Sequence, residues 1–373
     1  MEVEEYIMES EPDATAIINR KVVDYFSGCG YFGFQVHLEV VEAACDAVKK
    51  YGISSATTRA GYGTNPVLLE IEAKAAQFFE TNDVLYYISG CLGSPVLLEA
   101  LKDDYEVIFI DRESHYSSRL ATSLVQKPVI IFEHRSPGDL NQKLKQHLKP
   151  SQRPLILCDG IFPISGEISP LPGYHEVSAG IEGAVICVDD AHATGVIGEK
   201  GHGSFEYFGM KGERFYSSGT LSKALGGHGG IIFGDDEFIK KLKQKSTLVN
   251  ACSNVPIPSA AATAKALEIL YNNPGIRKTL WDNVAHAKNG LRNLGFDIND
   301  TPVPIICLYS KEKEKIDPKA LQLELFERNI AVTYVPYGGY TSVPRGGAVR
   351  ISIFSTHTRE QIDRLIAEIK RLV

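Results

Sequence analysis

Apolar residues recur along this chain in two rhythms. Over about 37–50 the segment HLEVVEAACDAVKK sets Leu38, Val41, Ala44, Cys45 and Val48 three or four positions apart, which is one face of an amphipathic α-helix. Leu68, Leu69, Ile71, Ala75 and Phe78 repeat the spacing after the loop TTRAGYGTNP and predict a second helix. Short continuous apolar runs then take over at 84–88, 106–110, 128–132, 154–158, 184–188 and 230–233. Runs of this length, rich in Val and Ile, suit strands buried on both faces of a sheet. Helical patterns separate several of them, as in DLNQKLKQHL at 139–148. The alternation predicts an α/β domain built on a mainly parallel sheet flanked by helices.

Past about 260 the order changes. Helical patterns at 258–272 and 276–294 lead to strand-like runs at 303–308 and 348–354. The chain closes on a helix that Thr358 and Gln361 open as a capping box. Ile362, Leu365, Ile366, Ile369 and Leu372 then form one apolar stripe. These changes divide the chain into an N-terminal segment (1–36), a large domain (37–260) and a smaller α+β domain (261–373).

Composition narrows the function classes. A chain of 373 residues, 44% hydrophobic and 23% charged, has the make-up of an enzyme-sized globular protein with an ample core. Its net charge is −7, with a pI near 5.9. A nucleic-acid binder would carry a basic footprint and a membrane-surface binder a polybasic patch, so neither partner is expected. No apolar run approaches the roughly 20 residues that span a bilayer. The acidic start MEVEEYIMES does not read as a secretory signal. Cys29, Cys45, Cys91, Cys158, Cys187, Cys252 and Cys307 are scattered and form no CxxC pair. They read as small hydrophobes in a reduced cytoplasm, not as a metal or disulfide framework.

Four segments carry candidate chemistry. In Ser218-Gly219-Thr220-Leu221-Ser222-Lys223-Ala224-Leu225-Gly226-Gly227, a lysine stands among small residues. Partial desolvation there would disfavour the ammonium and make the amine a nucleophile toward a carbonyl cofactor. A lysine that merely caps a helix in a Gly-rich loop would look the same. In Val188-Asp189-Asp190-Ala191-His192, a carboxylate follows a strand-like run, where an open α/β sheet lines its ligand crevice. Asp189 there could keep a pyridine nitrogen protonated, with His192 near the ring oxygen. An N-cap role for Asp189 or a metal pair with His192 competes with that reading, although no third ligand follows at a suggestive spacing. His115, after the run 107–110, could stack on a planar cofactor or be an incidental loop histidine. Ser89-Gly90-Cys91-Leu92-Gly93-Ser94 is a Gly-rich strand-to-helix turn of the kind that binds phosphate through backbone N–H groups.

The order of these segments gives the chain a resemblance to the α-oxoamine synthase family of pyridoxal-phosphate enzymes, within fold type I. Thr220-Leu221-Ser222-Lys223-Ala224-Leu225-Gly226 resembles the class II aminotransferase lysine signature that the family shares. VDDAHATGVIGEKGHG (188–203) is similar to its Asp-x-x-His segment, and SATTRAGYGTN (55–65) to its Arg-x-x-x-Gly loop. The likeness spans about 25–370. It implies a pyridoxal 5'-phosphate transferase with a large domain and a smaller C-terminal one.

By position, the resemblance implies that Lys223 bonds to the cofactor aldehyde as a Schiff base and later moves the substrate α-proton. Asp189 would pair with the ring nitrogen, His192 with the ring hydroxyl, and His115 would stack on the ring. Gly90, Cys91 and Leu92 would hold the phosphate with Thr220, and Ser253 and Asn254 would reach it from the partner subunit of a homodimer. Arg350, in GGAVRISIFSTHT, would clamp the amino-acid carboxylate, for which its planar fork is suited. The implied activity is condensation of an amino acid with an acyl-CoA, as in 8-amino-7-oxononanoate synthase or glycine C-acetyltransferase. The chain departs from the family on the substrate side. Cys29 stands for an asparagine that contacts substrate, Leu68 for a histidine, Pro163 for a serine and Asp159 for a glutamate. The alternative these departures raise is another fold type I enzyme, a class II aminotransferase or an amino-acid lyase.

Overall fold

The apolar runs become strands of one seven-stranded sheet in the computed structural model of the chain, which describes residues 5–309, 317–338 and 343–373. In chain order the strands are β1 (Asp83–Tyr87), β2 (Val107–Asp111), β3 (Val129–Phe132), β4 (Pro154–Asp159), β5 (Val185–Asp189), β6 (Phe215–Thr220) and β7 (Gly230–Gly234). Across the sheet the order is β1-β7-β6-β5-β4-β2-β3. The ladders from β6 through β5, β4 and β2 to β3 are parallel, and β7 pairs antiparallel with both β6 and β1. Alternate residues enter opposite core layers: Ile108, Leu155 and Cys187 pack in one, Phe109, Ile156 and Val188 in the other. Burial on both faces is why these strands read as unbroken apolar runs.

β6 is the strand that the hydrophobic pattern does not announce. Its buried residues are Ser217, Ser218, Gly219 and Thr220. The cause is the turn above it. A Cβ on Gly93 would lie 2.4 Å from Ser218 Oγ, and one on Gly90 would lie 2.5 Å from Thr220 Cβ. The Gly90–Leu92 turn therefore lies directly on β6, and only small side chains fit beneath it.

The large unit comprises residues 39–162 and 168–272. Its last helix, Ile257–Asn272, packs on Pro66–Phe79, so the unit runs past the boundary expected near 260. The helix read at 37–50 forms as Leu38–Tyr51, but it buries Val40 and Ala47. Leu38 and Val41, on the face expected to be apolar and inward, are 69% and 44% exposed, and Cys45 is exposed too.

The small unit holds the described residues of 1–38, 163–167 and 273–373. Its N-terminal part is an antiparallel hairpin, Thr15–Ile18 with Lys21–Tyr25, extended in parallel by Ile330–Ala331. The hairpin turns on Asn19 and Arg20, both left-handed at φ 48° and 63°. A turn without glycine hides the hairpin from a sequence reading. A second sheet centres on Ala348–Ser352, with Ile305–Tyr309 and Thr333–Val335 antiparallel on either side. The terminal helix, Arg359–Leu372, has the expected capping box and buries Ile362, Leu365 and Ile369.

Candidate active site

The carboxyl ends of β4, β5 and β6 set polar residues side by side in the large unit. Asp159 pairs in register with Asp189, and Asp189 with Ser218. Three residues past β6, Lys223 sits in a tight loop. Leu221 N–H donates to Gly229 O at 2.9 Å, and Gly227 N–H to Leu221 O at 3.0 Å. Buried Leu221, Ala224 and Leu225 anchor this loop in the core. The loop holds Lys223 Nζ 2.9 Å from His192 Nε2. An ammonium can only donate, so His192 Nε2 is the acceptor and its ring is neutral when Lys223 is charged.

His115 begins the helix Tyr116–Leu124. Its Nδ1 accepts from Ser117 N–H at 3.2 Å and lies 2.7 Å from Ser117 Oγ. Its own N–H donates to both oxygens of Asp159, at 3.0 and 3.1 Å. Burial pulls the imidazole below its ordinary pKa; Asp189 opposes this and Lys223 adds to it. Burial, and then the Asp189 charge, push Asp159 well above the ordinary carboxylate range. Asp190 is pushed up to about 7 by burial, with Ser204 opposing. At the end of β5, Asp189 Oδ1 accepts from Ala191 N–H at 3.0 Å.

The phosphate-turn candidates lie where expected in the chain, but their amides are engaged locally. Cys91 N–H donates to Ser89 Oγ at 3.3 Å and Leu92 N–H to Ser89 O at 3.0 Å. Thr220 Oγ1 is 2.8 Å from Ser222 Oγ and donates to Gly229 O at 3.1 Å. Asn254 Nδ2 donates to Gly63 O at 2.7 Å and so ties the 55–63 loop of its own chain. Ser253 and Asn254 share a small cavity of about 20 Å³ with Tyr87, Leu92 and Arg59. Arg59 itself is held by Glu72, with contacts of 3.0 Å to each carboxylate oxygen. Leu68 is buried in the core.

A second polar group is buried in the small unit around Arg350. Nε donates to Pro163 O at 2.7 Å, and Nη1 to Ser352 Oγ at 2.8 Å and Gly28 O at 3.2 Å. Nη2 lies 3.6 Å from Cys29 Sγ. Among the described residues no carboxylate pairs with it. A buried cation satisfied only by neutral acceptors is a prepared anion site. Fully buried Tyr31 adjoins it; burial raises the Tyr31 hydroxyl, Cys29 reinforces this and Arg350 opposes it.

Some polar groups of these sites have no sequence signal of their own. Asp159 closes the apolar run of β4 as Asp189 closes that of β5, so the strand-end rule finds it. Tyr87 and Ser218 have buried hydroxyls without a hydrogen-bond partner among the described residues. Both converge on Gly93, whose Cβ would lie 3.0 and 2.4 Å from them. Orphaned hydroxyls beside a glycine at a helix start, next to a lysine, a histidine and a strand-end carboxylate, fit a bound polar group such as a phosphorylated pyridine aldehyde.

Comparison with known proteins agrees with this reading. The aminotransferase class I and II family matches residues 30–369. A Thermosipho melanesiensis 8-amino-7-oxononanoate synthase is 32% identical over 98% of this chain and 92% of its own length. One from Alkaliphilus metalliredigens is 30% identical over 98% of this chain and 91% of its own. Among solved structures, Sphingomonas wittichii serine palmitoyltransferase superposes with a TM-score of 0.91 at 24% identity, covering 98% of this chain and 91% of that one. The 8-amino-7-oxononanoate synthase of Francisella tularensis gives 0.76 at 21% identity, covering 94% and 97%. These two structures share the fold.

Proposed function

Because this chain belongs to the aminotransferase class I and II family and, within it, to the α-oxoamine synthases, we propose that it joins the α-carbon of an amino acid to the acyl group of an acyl-CoA, with pyridoxal 5'-phosphate bound at Lys223. The observation that carries this reading is the 2.9 Å contact between Lys223 Nζ and His192 Nε2 beside the strand-end carboxylate of Asp189. When bound, the cofactor supplies an electron sink for the pair left on the substrate α-carbon.

The chain's own residues do the rest. Lys223 holds and moves the α-proton, and His192 Nε2 accepts a hydrogen bond from its amine. Asp189, buried at the end of β5, keeps a proton on the ring nitrogen. His115, neutral and partly buried, offers a flat face for the ring. Gly90, Cys91, Leu92 and Thr220 cradle the phosphate, and Ser253 and Asn254 reach it from a second copy. Arg350 takes the amino-acid carboxylate in its planar fork, with Cys29 at its edge.

The exposed apolar residues Leu38 and Val41 support a homodimer, since their helix has an apolar face that its own core does not cover. Among the described residues no helix is long and apolar enough to cross a membrane. We place the enzyme in the cytoplasm, where its seven free cysteines stay reduced. The test is to incubate the pure holoenzyme with glycine, alanine or serine and acyl-CoAs of varied length, following free thiol. Release that needs both substrates supports condensation. A pyridoxamine form that appears with an amino acid and reverts with a keto acid, without thiol release, favours an aminotransferase.

A further inference from the structure

The small unit contains a groove that the proposed chemistry has not yet used. We propose that it receives the unbranched hydrocarbon tail of the acyl substrate, an inference that rests on the condensation reading above. The groove encloses about 600 Å³, within the roughly 300–1,000 Å³ range of small-molecule sites. Tyr6, Met8, Leu323, Phe326, Val332 and Tyr334 supply its walls. Among the described residues, Lys319, exposed in the first turn of the helix Pro318–Glu327, is the one charged residue lining it. Such a lining suits a chain of methylenes and would reject a ligand charged along its length.

Its polar end says what the chain is attached to. There Ser27 Oγ and Thr333 Oγ1 lie 2.5 Å apart, beside Tyr25, another lining residue. The Tyr25 hydroxyl abuts the Cα of Gly28, where an added Cβ would lie 2.9 Å from it. Gly28 O accepts from both Arg350 Nη1, at 3.2 Å, and Ser352 Oγ, at 2.7 Å. Thr333 also stands directly across the strand pair from Arg350, so both side chains leave the sheet on the same face. The groove thus ends one residue from the buried guanidinium.

The reaction accounts for that adjacency. The α-carbon's electron pair forms a bond to the thioester carbonyl carbon, the carbon–sulfur bond breaks, and the thiol leaves with a proton. The acyl carbon becomes a direct neighbour of the carbon that bears the carboxylate. With that carboxylate on Arg350, the acyl tail departs from beside Arg350, and the groove is the apolar space whose lining comes within one residue of it, at Ser27. The side chain of glycine, alanine or serine would leave nearly all of it empty.

Two surface substitutions test this without touching the core. Leu323 is 36% exposed, so Leu323→Glu places a charge in the wall and Leu323→Trp narrows it. Both variants are first checked for a wild-type cofactor spectrum. A fluorescent long-chain fatty acid is then titrated into each holoenzyme, and thiol release is measured with butanoyl-CoA and decanoyl-CoA. We expect L323E to weaken the fatty acid about tenfold, or about 1.4 kcal/mol. The kcat/KM ratio of decanoyl over butanoyl should fall by about the same factor, and L323W should shift it the same way. If both acyl-CoAs release thiol and neither variant changes the ratio, the groove assignment is overturned while the condensation stands. If no acyl-CoA releases thiol yet L323E weakens the fatty acid, the condensation reading falls and the groove remains an alkyl site. A wild-type protein that does not bind the fatty acid overturns the groove outright.

Discussion

Asp159 and Asp189 stand opposite one another at the carboxyl ends of the adjacent parallel strands β4 and β5. Two buried carboxylates in register cannot both hold a charge cheaply. Asp159 is the one driven toward its protonated form, by burial and by Asp189, while its oxygens receive His115 N–H. The raised carboxyl of the pair is therefore Asp159, whose neighbour across the ladder is the carboxylate proposed to face the ring nitrogen. Asp159→Asn should keep this arrangement, because a neutral amide still offers an oxygen to His115. Asp159→Ala removes the acceptor of a buried N–H and should cost about 1–3 kcal/mol. Thermal melts of the two variants check this; equal losses would contradict it.

Asp190 gives the fold a pH dependence of definite sign. Its folded value, about 7, lies above the ordinary 3.8. The folded chain binds that proton more tightly, so the contribution is complete below about pH 4 and is lost as pH rises through about 7. Asp190→Asn cannot titrate. Wild-type stability should fall relative to this variant across that window in denaturant titrations, and a constant difference would refute the assignment.

The capping role of His115 and its proposed stacking role are separable. Its Nδ1 caps the helix Tyr116–Leu124 through Ser117 N–H, and its ring offers a stacking face. His115→Asn keeps a cap and loses the ring; His115→Phe does the reverse. The Phe variant should lose about 1 kcal/mol of stability yet hold the cofactor more tightly than the Asn variant. Melting and cofactor titration read the two effects independently.

Arg350→Lys tests the proposed carboxylate clamp. A lysine keeps the charge but cannot reproduce a fork that meets Pro163 O, Gly28 O and Ser352 Oγ together. KM for the amino acid should rise about tenfold to hundredfold, the scale of one charged hydrogen bond of about 1.5–3 kcal/mol. The cofactor absorption should not change. A variant that loses cofactor instead would move Arg350 out of the substrate site.

Much of the large unit was legible because its strands are buried on both faces. The runs ending at Ile110, Cys158 and Val188 marked the strand ends, and with them Asp189 and His192. β6 was not legible: Ser218 and Thr220 lie beneath Gly93 and Gly90, so close packing there selected small polar residues over apolar ones. The helix Leu38–Tyr51 was legible as a helix, but periodicity does not say what covers Leu38 and Val41. In the small unit Arg350 was found only through resemblance. Its neighbours Tyr31, Gly28 and Pro163 are far from it in sequence and are brought to it by the pairing of distant strands.

Borohydride reduction of the holoenzyme followed by peptide mapping tests the central assignment most directly. The reading predicts one pyridoxyl label, on Lys223, that disappears in Lys223→Arg together with the absorption band of the bound aldehyde. A label on any other residue, or a protein that takes up no pyridoxal phosphate at all, would contradict it.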